Sequence, residues 1–441
     1  MRTSAPVLPV DRALRFSILD GVLYALMLGV SESYFGACAV ALGHSDTALA
    51  VLVTLPLFAG ALAQALTGPL VLLLGSRKRL VVLGAVMQAL SHLGLFAVAW
   101  FGVHSLWPLL ALVTLYFVSG MVIMPAWGAW MGALTEHVDR ERYFAVRSAL
   151  VAASLLVAFL WGGYHLRDGQ AAHQLTHAYA WLFGAGLVAR SASSVMLMLQ
   201  HDPSAPPRDS MLRVLARTRA AVRGPGARLA LGLALFMFGA HISLPFYAPY
   251  MLKTLALGYD GFALLCAVQL VAKSLVFPFV HRAAARIGLA RLLSGSVATL
   301  SLVAWLWGTA RHMPGLVVAQ TLSGAAWAVF EFSSFQLLLR GARPTYRVEF
   351  LAMAASLGGL LQLVGALFGS LLLTYGDFSY VDIFRVSAVG RCLPLLVLVP
   401  LFQALPTLRA PMTLTQFVTG RLTLHPALVR LNRRRGHDRR S

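Results

Sequence analysis

Long apolar runs alternate with short polar connections along the whole chain, and every run has the length of a membrane-crossing helix. Such a helix needs about 20 apolar residues. Stretches of that kind tile over 16–42, 48–74, 80–102, 106–130, 148–165, 177–200, 229–252, 261–281, 291–311, 314–339, 349–374 and 380–405. The pattern predicts an all-α polytopic membrane protein with twelve transmembrane helices. The first run holds Asp20 and Glu32 and is too long for the roughly 7 to 15 apolar residues of a cleavable signal, so it is read as the first span.

Composition supports this reading. Of 441 residues, 59% are hydrophobic and 12% charged, about half the charge of an ordinary soluble domain, which leaves little chain for a domain outside the bilayer. Cys38, Cys266 and Cys392 each lie inside an apolar run, which argues against a disulfide framework or a cysteine-rich metal site. No metal or cofactor is expected.

The excess of 36 basic over 16 acidic residues gives a net charge of +20, which could suggest nucleic acid as a partner. Position argues otherwise. Twenty-nine of the 36 fall on alternate connections and the two ends, whereas the opposite connections carry Arg167, Lys253 and Arg311. That asymmetry places both termini in the cytoplasm. It divides the chain into a cytoplasmic N-terminus (1–15), an N-terminal six-helix half (16–200), a basic linker (201–228), a C-terminal half (229–405) and a basic tail (406–441). The tail reads as a solvated basic segment, with a surface helix on anionic lipid as the alternative. Only three basic residues are lysine, which with abundant Ala, Leu and Gly suggests a GC-rich bacterial genome and so a bacterial inner membrane.

The halves repeat one another. Tyr179, Phe183 and Arg190 of span six match Tyr380, Phe384 and Arg391 of span twelve, all 201 residues on, and Ser119-Gly120 of span four matches Ser323-Gly324 of span ten. Gly75 with Arg77, Lys78 and Arg79 after span two is echoed by Gly288 with Arg286 and Arg291 after span eight. With these repeats the chain resembles the major facilitator superfamily (MFS) of secondary transporters. The family's loop motif, Gly-x-x-x-Asp-(Arg/Lys)-x-Gly-x-(Arg/Lys), aligns here with Gly68, Leu72, Leu73, Gly75 and Arg77. Leucines replace the acid and the first base, which removes the acid of the latch that the resemblance implies between the halves.

The resemblance also implies that spans one, four, seven and ten line a central cavity. Polar groups in hydrocarbon are costly and need partners or water, so those spans supply the candidates. In span ten, Gln320, Gly324, Trp327 and Glu331 recur at helical spacing and predict one wet face. Span one offers Asp20, Tyr24 and Glu32; span four Tyr116 and Trp127, with Trp130 read as an interface anchor; span seven His241 and Tyr247, with Pro245 and Pro249 as helix breakers. Glu32, Glu331 and Asp20 are the proton-coupling candidates and Lys273 of span eight the counter-charge. Arg190 and Arg391, at equivalent places, are read as structural, pairing with carbonyls or acids of neighbouring spans. Glu136, Asp139, Arg140, Glu141, Arg142 and Arg147 are expected in a charged cytoplasmic loop.

These features favour a proton-coupled transporter of a small organic solute, amphipathic or cationic, working by alternating access as a monomer, with export ahead of uptake. A membrane-embedded enzyme on lipid is the less favoured class, since His165, Asp168, His173 and His177 lack the glutamate that a helical zinc-protease motif requires. A non-transporting sensor would need a signalling domain, and no P-loop supports nucleotide-driven pumping.

Overall fold

The computed structural model describes residues 8–44, 46–136, 138–172, 174–203, 210–224 and 226–404. Among the described residues, eleven helices are long and apolar enough to cross a membrane, and a bent pair, Thr54–Gln64 with Thr67–Leu74, gives a twelfth when counted as one span with a 62° break. The spans before the linker are Arg12–Ala41, this bent second span, Arg77–Trp100, Leu106–Leu134, Arg140–Ala171 and Leu175–Leu199. Those after it are Gly226–Pro249, Leu264–Ile287, Leu289–Thr309, Met313–Gly341, Pro344–Tyr375 and Tyr380–Gln403. The chain is a multi-pass membrane protein. The tail at 406–441 lies outside the described residues.

Three expectations about the connections change. The charged loop expected before span five is largely helix, because Asp139 caps it by accepting a hydrogen bond from the Arg142 N–H at 3.0 Å, so Arg140 to Arg147 form its first two turns. The linker carries its own helix, Met211–Arg223, which buries Val214 and Ala221. Trp130 is fully buried, and its indole N–H reaches the His201 carbonyl at 3.1 Å, so it anchors the linker's start rather than a lipid interface.

The repeat extends to backbone irregularities. Span one breaks at Ser31 into a 3₁₀ turn, Glu32–Tyr34, and span seven breaks at Ser243 into the same turn, Leu244–Phe246, 212 residues later. The turns after spans two and eight both use a glycine at positive φ, Gly75 at 66° and Gly288 at 89°, a conformation in which any side chain is strained.

Buried apolar residues are distributed unequally along the membrane normal. On the linker side they form one cluster drawn from both halves, including Ala126, Trp130 and Phe144 with Phe330, Leu337 and Leu351. On the far side they form two: one within the N-terminal half around Phe35, Tyr116 and Phe183, the other within the C-terminal half around Tyr250, Trp307 and Phe384. The halves are therefore fused at their linker-side ends.

Candidate functional site: an ion pair above an aromatic floor

The fused end closes on aromatic rings. Trp127 of span four stacks on Phe335 of span ten (centroids 6.2 Å apart), and Phe144 of span five meets Phe335 edge-on at 5.0 Å. Two glycines of span four permit the approach: a Cβ on Gly128 would sit 3.2 Å from Leu351, and one on Gly132 3.1 Å from Leu339. Halfway up, Gly359 of span eleven meets Ala61 of span two, where a Cβ would approach to 2.7 Å.

One helical turn above the floor lies an ion pair. Glu331 is four residues before Phe335 and so shares its face; Lys273 Nζ donates to its Oε1 at 2.7 Å. Their side chains are 45% and 24% exposed. The rest of the expected span-ten stripe separates from it. Gln320 is buried, Gly324 packs against the Gln269 carbonyl of span eight, and Trp327 lies half-buried on Phe236 of span seven at 5.9 Å. A face with the right period thus serves two purposes: Gly324 seats span eight, and Glu331 is the exposed member of the stripe.

In the N-terminal half the buried charge is concentrated on Asp20. Its Oδ2 lies 3.6 Å from Arg147 Nη2, and its Oδ1 lies 4.0 Å from Arg190 Nη1 and accepts from Ser193 Oγ at 2.7 Å. Arg190 also covers the Tyr24 ring at 4.8 Å, and Arg147 covers Trp127 at 4.5 Å, tying the network to the floor. Asp20, expected among the titrating acids, is thus held by two guanidinium groups and a serine hydroxyl. Glu32 sits higher, in the 3₁₀ turn, where it accepts from the Tyr116 hydroxyl. Tyr116 is itself 1% exposed and packed edge-on to Phe35 at 5.2 Å, so it supports Glu32 from within the half instead of lining a central cavity.

The C-terminal half holds Arg391 differently. Its Nη1 donates to the Leu300 carbonyl at 2.8 Å, its Nε to Ser387 Oγ at 3.1 Å and its Nη2 to Ser243 Oγ at 2.9 Å. Tyr247 lies at 3.5 Å from the same Nη2 and stacks on Phe384 at 4.7 Å, so it too belongs to the interior of its half. His241 Nδ1 pairs with the Met237 carbonyl of its own helix at 2.9 Å.

The linker-side ties run beside the glycine-and-arginine loop. Arg77 donates to the Ala129 carbonyl at the end of span four (3.3 Å), and Gly68 lets Val214 and Glu349 approach to 3.3 and 3.4 Å of where its Cβ would be. The leucine at position 72 leaves no acid in the loop, and the cross-half ion pair forms elsewhere, between Arg340 of span ten and Glu141 of span five at 2.6 Å. Glu349, opening span eleven, lies 3.8 Å from Arg217 of the linker helix. Sequence reading placed Arg147 and Glu141 in a charged segment open to gating ion pairs, but missed Phe335 and the partners that the two residues take, Asp20 and Arg340. The available signal was Asp139, a cap residue placed so that Phe144 and Arg147 follow at helical spacing.

Neither a family model nor a curated protein sequence matches the chain. Solved structures do. The proton:xylose symporter XylE bound to 6-bromo-6-deoxy-D-glucose is 14% identical, with 89% of this chain and 96% of that chain covered, at a TM-score of 0.69. A bacterial homologue of the iron transporter ferroportin in an outward-facing state is 14% identical over 89% and 99% of the two chains, at 0.70. The human organic anion transporter MFSD10 is 18% identical over 89% and 100%, at 0.61.

The chain has the major facilitator fold.

Within that fold the repeat seen in the sequence is the relation between the two six-helix halves. The seam between them contains the aromatic floor and, one turn above it, the Lys273–Glu331 pair.

Proposed function

We propose that this major facilitator fold works as a secondary active transporter, in which the two halves rock about a mid-membrane site. The observation that carries the reading is the unequal core: one apolar cluster shared by both halves on the linker side and two separate clusters on the far side. Rocking requires an interface that can part at one end while the other closes. The linker-side contact is aromatic and built on glycine, with the Glu141–Arg340 ion pair beside it.

The positive-inside rule applied to the basic linker and connections supports a cytoplasmic linker side; on this reading the protein is a monomer in a bacterial inner membrane and is open outward. The energy input is a proton. Glu331 is water-accessible and balanced by Lys273; protonating it releases the lysine, and the pair forms again when the proton leaves. Glu32 with Tyr116 is the second candidate site. A proton-coupled role fits the proton:xylose symporter that shares the fold. The substrate is a small organic solute, amphipathic or cationic, and export is preferred over uptake.

The test is proton flux in reconstituted vesicles loaded with a pH dye, screened first against organic cations and sugars. A substrate that drives proton movement through the wild type and none through Glu331→Gln is the expected result. Substrate transport with no proton flux, unchanged in Glu331→Gln, would refute the coupling.

A further inference from the structure

A cavity of about 190 Å³ opens at the linker-side face where three bodies meet. Gly68, Val71, Leu72 and Arg77 come from the N-terminal half, Val214 and Arg217 from the linker helix, and Thr345, Arg347, Val348 and Glu349 from the start of span eleven. Its volume is that of about six water molecules, enough for a tetrahedral oxyanion with part of a substituent.

Three guanidinium groups and one carboxylate line it. Glu349 is engaged by Arg217 at 3.8 Å, and Arg77 spends one nitrogen on the Ala129 carbonyl at 3.3 Å. Arg347 is the anomaly. It is 7% exposed, has no carboxylate within ion-pair distance among the described residues, and its Nε is buried without a hydrogen-bond partner. A Cβ on Gly132 would lie 3.2 Å from the Arg347 Nη1, so the side chain is pressed against the end of span four; the charges of Arg140 and Arg77 repel it and that of Glu136 attracts it. A buried guanidinium N–H without an acceptor is costly, and an anion in the cavity would supply one.

The backbone points the same way. Arg347, Val348 and Glu349 form the first turn of a 29-residue helix whose opening N–H groups and dipole favour negative charge. We propose that this cavity is a binding site for a phosphate group, held chiefly by Arg347 with Arg77 and Arg217 completing the shell, either free or as the headgroup of an anionic lipid. The site joins both halves and the linker, so its ligand ties the linker-side end together. This assignment rests on the cavity and stands whether or not the chain transports a solute.

The test uses the full-length protein in detergent, with thermal unfolding followed as sodium phosphate replaces sodium chloride at constant ionic strength. A saturable rise in Tm is expected with phosphate, and none when sodium acetate replaces the chloride. Dioctanoyl phosphatidylglycerol and dioctanoyl phosphatidylcholine, compared at equal concentration, separate the sources. A rise with the first and not with phosphate assigns the site to a lipid headgroup; a rise with phosphate assigns it to a free anion. Arg347→Gln should abolish the response, and phosphorus NMR line broadening on the wild type, lost at high chloride, gives a readout independent of that variant's folding. No shift with either phosphate source, or an equal shift in Arg347→Gln, overturns the proposal.

Discussion

Arg190 and Arg391 occupy equivalent places in the two halves, and each is almost wholly buried, yet they are neutralised in opposite ways. Arg190 faces a carboxylate, Asp20, which it shares with Arg147. Arg391 faces carbonyls and hydroxyls, with no carboxylate in ion-pair distance among the described residues. The repeat explains the difference. With the 212-residue offset of the broken helices, Asp20 corresponds to Gly232, where a Cβ would already lie 2.6 Å from Leu398, so an acid has no room. Ser31 and Gly186, in contact in the N-terminal half, correspond to Ser243 and Ser387, which bond each other at 2.8 Å and both accept from Arg391. One half thus fixes its arginine with charge, the other with dipoles exposed by a helix break.

The comparison is broken most severely at Asp20. Asp20→Asn leaves Arg147 and Arg190 buried without their carboxylate, which costs about 3–5 kcal/mol when one member of a buried pair is removed. The expected outcome is a large loss of folded protein in thermal unfolding or detergent size-exclusion assays. Adding Arg190→Gln to Asp20→Asn should recover part of that loss, because one of the two uncompensated charges goes with it. A double variant as unstable as the single would show that Arg190 is not held by Asp20.

A cross-half variant comes next. Gly359→Val places branched carbon where Ala61 already limits a Cβ to 2.7 Å, and packed interfaces of this kind lose about 1–3 kcal/mol when overfilled. Cysteine pairs placed across the linker-side end should then cross-link less readily than in the parent. Unchanged cross-linking would mean that the seam at Gly359 yields without parting the halves.

The sequence made the twelve spans, the repeat and the paired arginines legible because each depends on residue type at a fixed period. Apolar length identified the spans, and Tyr-x-x-x-Phe followed by a buried arginine marked the equivalent helices. What stayed hidden depends on which side of a helix meets which neighbour. Gln320 and Gly324 have the spacing of a cavity face, but Gln320 is buried and Gly324 seats span eight. Tyr116 and Tyr247 have the polarity of cavity residues but support Glu32 and Arg391 from inside their own halves. Arg147 read as a loop charge because its distance from Asp20, 127 residues away in the chain, is set only by the packing of span one on span five.

In the C-terminal half the smaller terms can be separated. Ser387→Ala removes one acceptor from Arg391 and one partner from Ser243, while the Leu300 carbonyl remains. A buried hydrogen bond to a charged group contributes about 1.5–3 kcal/mol, and the remaining donors can retain their partners, so a loss near the lower end of that range is expected in chemical denaturation. A loss as large as that of Asp20→Asn would contradict the division between charge and dipole.

The smallest stability effect belongs to the half-exposed ion pair at the seam. Lys273 and Glu331 are bonded at 2.7 Å, but the Glu331 side chain is 45% exposed, and exposed pairs contribute about 0–1 kcal/mol. Glu331→Gln should therefore leave the melting temperature within a few degrees of the parent while abolishing substrate-driven proton flux, whereas Asp20→Asn lowers both. That dissociation follows from position. Asp20 is locked among groups that cannot leave it, so it behaves as part of the scaffold. Glu331 stands one turn above the rings that join the halves, with a lysine partner and access to solvent, so a change in its charge can be felt at the seam. If Glu331→Gln unfolded the protein as Asp20→Asn does, the pair would belong to the scaffold, and the proton site would have to be sought at Glu32.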